Sequence, residues 1–244
     1  MDKNYYLGRR SIRRFTDREV PPALLDEILE LAGRAPTCGN MQLYSVIVTR
    51  DAECRRRLAE LHFNQPAATG APVLLTVCAD FARFTRWCEV NEADAAYDNF
   101  LSFTSAFADA IILAQQITTI AEQSGLGTCY LGTCIYNAPE IARLLRLPER
   151  MVVPVACLAI GWPDGEGVAT ERLPLRAWVH EESYRADTDE EIIDLYKVKD
   201  EYPANQPFIA ENGKQNLAQV FAEVRYPRAM NEEFSAKLLR WLRF

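Results

Sequence analysis

Residues 98–124 read DNFLSFTSAFADAIILAQQITTIAEQS, and the spacing of apolar side chains in this stretch sets the architecture. Phe100, Phe103, Phe107, Ala110, Ala114, Ile117 and Ala121 recur at steps of three and four, the period of an α-helix. Leu101, Ile111, Ile112 and Leu113 widen the apolar surface beyond one stripe, so the helix belongs in a core, or between a core and a second copy of the chain. Its length comes to roughly 40 Å at 1.5 Å per residue. Gly125-Leu126-Gly127 stops it with residues able to take positive φ, and Thr128-Cys129-Tyr130-Leu131-Gly132 resumes in extended form.

Working outward, Pro21-Pro22 opens a helix to about Arg34 with Leu24, Leu25, Ile28, Leu29 and Ala32 on one face. Tyr44 to Thr49 reads as a strand, Ala52 to Leu61 as a charged surface helix, and Pro72 to Cys78 as a buried strand. A short helix follows Pro139, and Val152 to Gly161 is a second buried strand. Residues 163–172 form a loop rich in Pro, Gly and acids, 200–216 a second long loop, and helices over Leu217–Arg225 and Glu232–Leu242 finish the chain. Strands and helices interleave without a steady β-α-β rhythm, which predicts an α+β fold in a single domain over 1–244. The glycines are wrongly spaced for a dinucleotide-binding G-x-G-x-x-G, and there is no P-loop and no G-x-S-x-G elbow. The two histidines, His62 and His180, read as structural, which disfavours zinc or histidine-centred hydrolysis.

The net charge of −7 and pI near 5.1 argue against a general nucleic-acid binder. Within residues 1–18, however, Lys3, Arg9, Arg10, Arg13, Arg14 and Arg18 face only Asp2 and Asp17, which points to a small anion. Cys38, Cys54, Cys78, Cys88, Cys129, Cys134 and Cys157 are odd in number and include no C-x-x-C pair, as suits reduced thiols better than disulfides or zinc. No apolar leader follows Met1, and the charge-free runs fall short of a membrane span, so the expectation is a cytoplasmic protein.

Two short motifs carry the chemistry. Arg9-Arg10-Ser11-Ile12-Arg13-Arg14-Phe15 offers cationic forks and a hydroxyl suited to a phosphate. If it is extended, Ser11 and Arg13 share one face, Ile12 and Arg14 the other. About one helix later, Ala35-Pro36-Thr37-Cys38-Gly39-Asn40-Met41-Gln42 kinks the chain and presents short donors and acceptors fit for the polar edge of a ring. In this order they resemble the phosphate-binding segment and flavin-edge loop of the FMN-dependent nitroreductases. The resemblance covers most of the chain and looks closest to the oxygen-insensitive nitroreductase and NADPH-flavin oxidoreductase subfamily. Gln65, Gly125-Leu126-Gly127-x-x-Tyr130-Leu131-Gly132, Gly161-Trp162-Pro163, Arg172-Leu173-Pro174 and Val179-His180-Glu181 extend it.

The resemblance implies a mixed, mainly antiparallel sheet surrounded by helices, and an intertwined homodimer with two tightly but non-covalently bound FMN molecules at its interface. Arg9, Arg10, Ser11, Arg13 and Arg172 would hold the ribityl phosphate and nearby polar atoms. Gln65, Tyr130, Leu131, Gly132 and Thr133 would line the ring, with Thr37, Cys38, Gly39 and Asn40 reaching it from the other subunit. The terminal helices, with Trp241 and Phe244, offer surface to that partner. The implied reaction is ping-pong: NADPH or NADH reduces FMN, which then reduces a nitroaromatic, quinone, flavin or azo acceptor. The cofactor carries the chemistry, and no acid or base residue is nominated. Alternatives are a flavin carrier or redox sensor with little turnover, and reductive dehalogenation or flavin fragmentation on the same fold.

Two departures stand out. Cys38 replaces the commoner Ser, and Thr170 stands where a Lys often assists the phosphate. The loop 200–216, which in the resembled subfamily carries cations for the 2′-phosphate of NADPH, holds Lys214 against Asp200, Glu201 and Glu211. Arg225 and Arg228, or Lys197 and Lys199, are the candidate substitutes.

Overall fold

The computed structural model describes residues 2–243 and contains two compact units, one of residues 9–168 and 234–243, the other of residues 2–8 and 169–233. The larger unit is built on four antiparallel strands, β1 (Tyr44–Thr49), β2 (Val73–Asp80), β3 (Gly127–Leu131) and β4 (Val152–Gly161), in the order β1-β2-β4-β3. Central β2 and β4 are buried along their whole length, with Leu75 opposite Leu158, and β1 and β3 form the edges. The two-residue side-chain period sends Val73, Leu75, Val77 and Ala79 into one core layer and Leu74 into another with Cys157 and Ala159.

Helices α1 (Lys3–Gly8), α2 (Pro22–Ala32), α3 (Ala52–Leu61), α4 (Pro66–Gly70), α5 (Ala82–Val90), α6 (Phe100–Gln123) and α7 (Ala138–Leu144) follow in chain order. Leu25, Ile28 and Ala32 of α2 and Phe103, Ala110, Leu113 and Ile117 of α6 cover the first layer; α3, α4 and α7 cover the second through Leu58, Ala67 and Ile141. Asn99 caps α6 by accepting from the Ser102 N–H, and Asp51 caps α3 by accepting from the Cys54 N–H. By length and composition α6 could cross a bilayer, but its buried face lies on the sheet as a core helix does. Phe100, Leu101, Phe107 and Ile112 remain exposed on its other side.

The smaller unit holds α8 (Asp189–Asp200), α9 (Gln206–Glu211) and α10 (Leu217–Gln219), which runs into a π-helical turn over Val220–Arg225. Helix α11 (Arg228–Leu242) ends the described chain.

Several boundaries differ from the sequence expectation. The long loop 200–216 contains α9, started by Pro207 in its first turn and closed around Ile209 against Leu217 and Val220. Helix α8 was not anticipated, since it buries only Leu195; a capping box between Thr188 and Glu191 starts it instead. Helix α5 buries no residue, and the Asp80 carboxylate accepting from the Ala82 and Arg83 N–H groups starts it. The last helix begins four residues before Glu232, and Trp241, expected to face a partner, packs partly buried on the core. Phe244 lies outside the described residues.

Candidate functional site

The first motif runs beside the edge strand β3. The Ile12 N–H donates to the Thr128 carbonyl at 2.8 Å, the Thr16 N–H to that of Trp162 at 2.9 Å, and the Asp164 N–H to that of Arg14 at 3.0 Å. The segment carries one isolated bridge, Phe15 to Pro163, and Ile12 is buried. Its side chain fills the space above Gly127 and Gly167, where an added Cβ would meet it at 2.8 and 3.0 Å, so both positions need glycine. Arg13 is exposed and Ser11 half-buried; Arg14, expected on the face of Ile12, is exposed as well, so the two do not share a buried face. A cavity of about 250 Å³ lies between Ser11–Arg14 and Asp164, Gly165, Gly167 and Val168.

Arg9 plays a double part. Its Nη2 pairs with Glu122 Oε1 at 3.2 Å, and that oxygen also accepts from the Thr128 hydroxyl at 2.5 Å. Its Nε is buried with no hydrogen-bond partner among the described residues. A buried guanidinium N–H left open is costly unless something accepts from it, which suits an anionic ligand.

At the end of β3 the chain turns through a 3₁₀ segment, Gly132–Asn137. Here Gln65 and Thr133 meet: Gln65 Nε2 donates to Thr133 Oγ1 at 3.3 Å, and His62 Nδ1 lies 2.9 Å from the same oxygen. His62 is fully buried, and burial lowers its pKa to about 4, so it is neutral at pH 7. Its Nε2 has no hydrogen-bond partner among the described residues. Gly132 is exposed, and the Tyr130 ring is 43% exposed, whereas the Leu131 side chain is core, leaving only its backbone for a ligand.

The second motif is a tight turn held from below by a residue the sequence reading missed. Asp109, fully buried in the middle of α6, accepts from the Cys38 N–H at 2.8 Å through Oδ1 and from the Leu43 N–H at 3.2 Å through Oδ2. Both ends of the turn are thereby fixed while Gly39, Asn40 and Gln42 adopt φ near +54°. Thr37 Oγ1 accepts from the Gln42 N–H at 3.4 Å, and Arg83 Nη2 donates to the Gln42 and Tyr44 carbonyls. The Cys38 thiol is exposed, and its hydrogen bond to Asp109 raises its pKa. The signal for Asp109 is visible in retrospect as a lone acid between Ala106, Ala110 and Leu113 on the buried stripe.

The turn leads into β1, the edge strand opposite β3, and three strand spacings amount to about 14 Å. Within one chain, therefore, the sheet separates the second motif from Gln65, Thr133 and the first motif.

The remaining candidates belong to the smaller unit. The Arg172 Nη1 donates to the Thr170 and Glu171 carbonyls and to Thr170 Oγ1, the last at 2.6 Å. Arg225 lies over the Phe208 ring at 4.7 Å, and Arg228 pairs with Glu232 one turn on. Lys214 pairs with Glu223, Lys199 with Glu171 and Lys197 with Glu201.

Comparison with known proteins places the chain among sequences and folds of one kind. Residues 6–162 match the model of the nitroreductase family. The chain is 34% identical over 226 residues to the FMN reductase [NAD(P)H] of Bacillus subtilis, covering 89% of this chain and 90% of that one. It is 32% identical over 189 residues to the oxygen-insensitive NADPH nitroreductase of Salmonella typhimurium, covering 78% and 76%. A crystal structure of an oxidoreductase-like protein from Bacteroides fragilis superposes with a TM-score of 0.93 at 46% identity, covering 96% of this chain and 95% of that one.

Proposed function

The chain belongs to the nitroreductase family, and from that premise we propose that it is an FMN-dependent NAD(P)H oxidoreductase acting on small oxidised acceptors such as nitroaromatics, quinones or flavins. The observation that carries this reading is the junction at the free edge of β3. There a cationic segment with a lined cavity is hydrogen-bonded alongside the strand whose end presents Tyr130, Gly132 and the Gln65–Thr133 pair.

Arg10, Ser11 and Arg13 bind the phosphate, with the partly exposed Arg9 guanidinium beside them. Gln65, Thr133 and the backbone of 130–133 contact the polar and flat parts of the ring. The resemblance also assigns Arg172 to the phosphate; within its own unit its guanidinium donates to the Thr170 and Glu171 carbonyls. When bound, FMN would supply two-electron redox chemistry between a reduced nicotinamide and the acceptor. The chain itself binds, orients and shields.

The homodimer is part of the proposal. Thr37, Cys38, Gly39 and Asn40 lie across the sheet from the β3 edge, so a second copy would deliver them, and the exposed Phe100, Leu101, Phe107 and Ile112 of α6 offer apolar surface for one. We also read residues 1–244 as serving one FMN-binding domain, and the free cysteines as suiting the reducing cytoplasm.

The test is direct. Purified protein is expected to be yellow, and NADPH or NADH added without oxygen is expected to bleach it within seconds. Yellow protein that stays oxidised would make it a flavin carrier; colourless protein that takes up no added FMN would remove the reading.

A further inference from the structure

The Thr133 hydroxyl has one proton to give and two lone pairs to fill. Two nitrogens surround it, Gln65 Nε2 at 3.3 Å and His62 Nδ1 at 2.9 Å. The Gln65 amide donates, so the polarity of the remaining contact rests on which nitrogen of His62 carries hydrogen. One tautomer puts the hydrogen on Nε2, leaving a buried N–H with no acceptor among the described residues. The other puts it on Nδ1, where it donates to Thr133, and leaves only a bare lone pair at Nε2. Buried orphan donors are rarer in proteins than under-used acceptors, so the second arrangement is favoured. The charged form, which would need both, is suppressed by burial.

We propose that His62 is a positioning residue: as the Nδ1–H tautomer it and Gln65 together fill both lone pairs of Thr133 Oγ1, forcing the Thr133 proton outward as a donor to an acceptor atom of the bound flavin ring. This rests on the assignment of residues 130–133 to the ring. Thr133 is half-exposed, so its outward side is open to a ligand, while His62 and the Ala59–Gln65 turn behind it are held by the core. The turn carries Phe63 and Asn64 at positive φ, and the Asn64 N–H donates to the Ala59 carbonyl at 2.8 Å. Asn137 Nδ2 donates to the Leu61 carbonyl at 2.7 Å, tying the 3₁₀ segment to the same helix end. A hydroxyl whose polarity is set before the ligand arrives costs no reorganisation on binding.

The chain has only two histidines, so protein labelled with ¹⁵N-histidine gives two imidazole spin systems, and a His180→Gln variant assigns them. Long-range ¹H–¹⁵N correlation at pH 7 is expected to show His62 neutral with its proton on Nδ1, with or without FMN. An Nε2–H pattern overturns the proposal. The second arm uses holoprotein. Thr133→Val is expected to weaken FMN binding by roughly two- to tenfold and to shift the flavin visible bands and midpoint potential, and Thr133→Ser to restore both. Protein that binds FMN with the same spectrum and potential in all three forms also overturns it. Failure of the wild type to bind FMN would instead defeat the flavin reading, while the tautomer result stands by itself.

Discussion

Two irregular turns of the larger unit are each held by one buried polar side chain, and the two holders differ in charge. Asp109 grips the Cys38–Leu43 turn with an anionic carboxylate that satisfies two backbone N–H groups. His62 meets the Gly132–Asn137 turn as a neutral ring with a single contact. The carboxylate fixes backbone, whereas the imidazole fixes the direction of one side-chain proton. The contrast teaches that burial of a charge in this core is tolerated where two donors answer it, and that a lone contact goes to a group that can stay uncharged.

Asp109→Ala should show the largest effect. It strands one buried and one partly buried amide and removes two charge-assisted bonds, for an expected loss of about 2–4 kcal/mol in urea unfolding. A loss below about 1 kcal/mol would mean that water replaces the carboxylate and that the turn needs no anionic grip. His62 gives the next effect, through pH. Its folded pKa of about 4 lies below the unfolded value near 6.5, so the unfolded chain takes up a proton first as pH falls and the penalty accrues between those two values. From pH 7 to pH 5 this removes about 2 kcal/mol of stability that a His62→Asn variant would not lose. Parallel pH profiles for the two proteins would show that His62 titrates normally.

Charge outside these turns should have smaller consequences. Lys214, Lys199, Lys197 and Arg228 are paired with carboxylates, and Arg225 sits on an aromatic ring. A 2′-phosphate must compete for them, so the ratio of kcat/KM for NADPH over NADH is expected within about two decades of unity. A ratio above roughly a thousand would reveal a complete phosphate site among them. The smallest effect concerns Cys38. Asp109 raises its pKa chiefly by the hydrogen bond between them, so Asp109→Asn should speed iodoacetamide labelling of Cys38 at pH 8, read by peptide mass spectrometry. Unchanged labelling would place thiol and carboxylate apart in solution.

The sequence revealed the elements whose apolar period is strong. Strand β1, helix α3 and strand β4 begin and end where the pattern puts them, and α6 is shortened only to the stretch between its Asn99 cap and Ser124. It failed for α5 and α8, which are held by capping groups and bury at most one side chain, so no stripe marks them. For the site, Ile12 against Gly127 and the meeting of Gln65 with Thr133 follow from tertiary packing of segments far apart in the chain, although each residue was singled out or implied by its motif. Asp109 was passed over, and His62 was read only as structural, because a buried polar residue gives no periodic signal. Only its partners, from distant segments, disclose its role.

The central claim, that the cationic segment along β3 holds the phosphate of FMN, is tested most directly by titrating apo-protein with FMN for wild type and Arg13→Ala, with urea unfolding of each alongside. Arg13 is exposed, so its loss should change stability by less than about 1 kcal/mol. A lost charge-assisted phosphate contact should weaken FMN binding by about one to two decades. Equal FMN affinity in the two proteins would contradict the account.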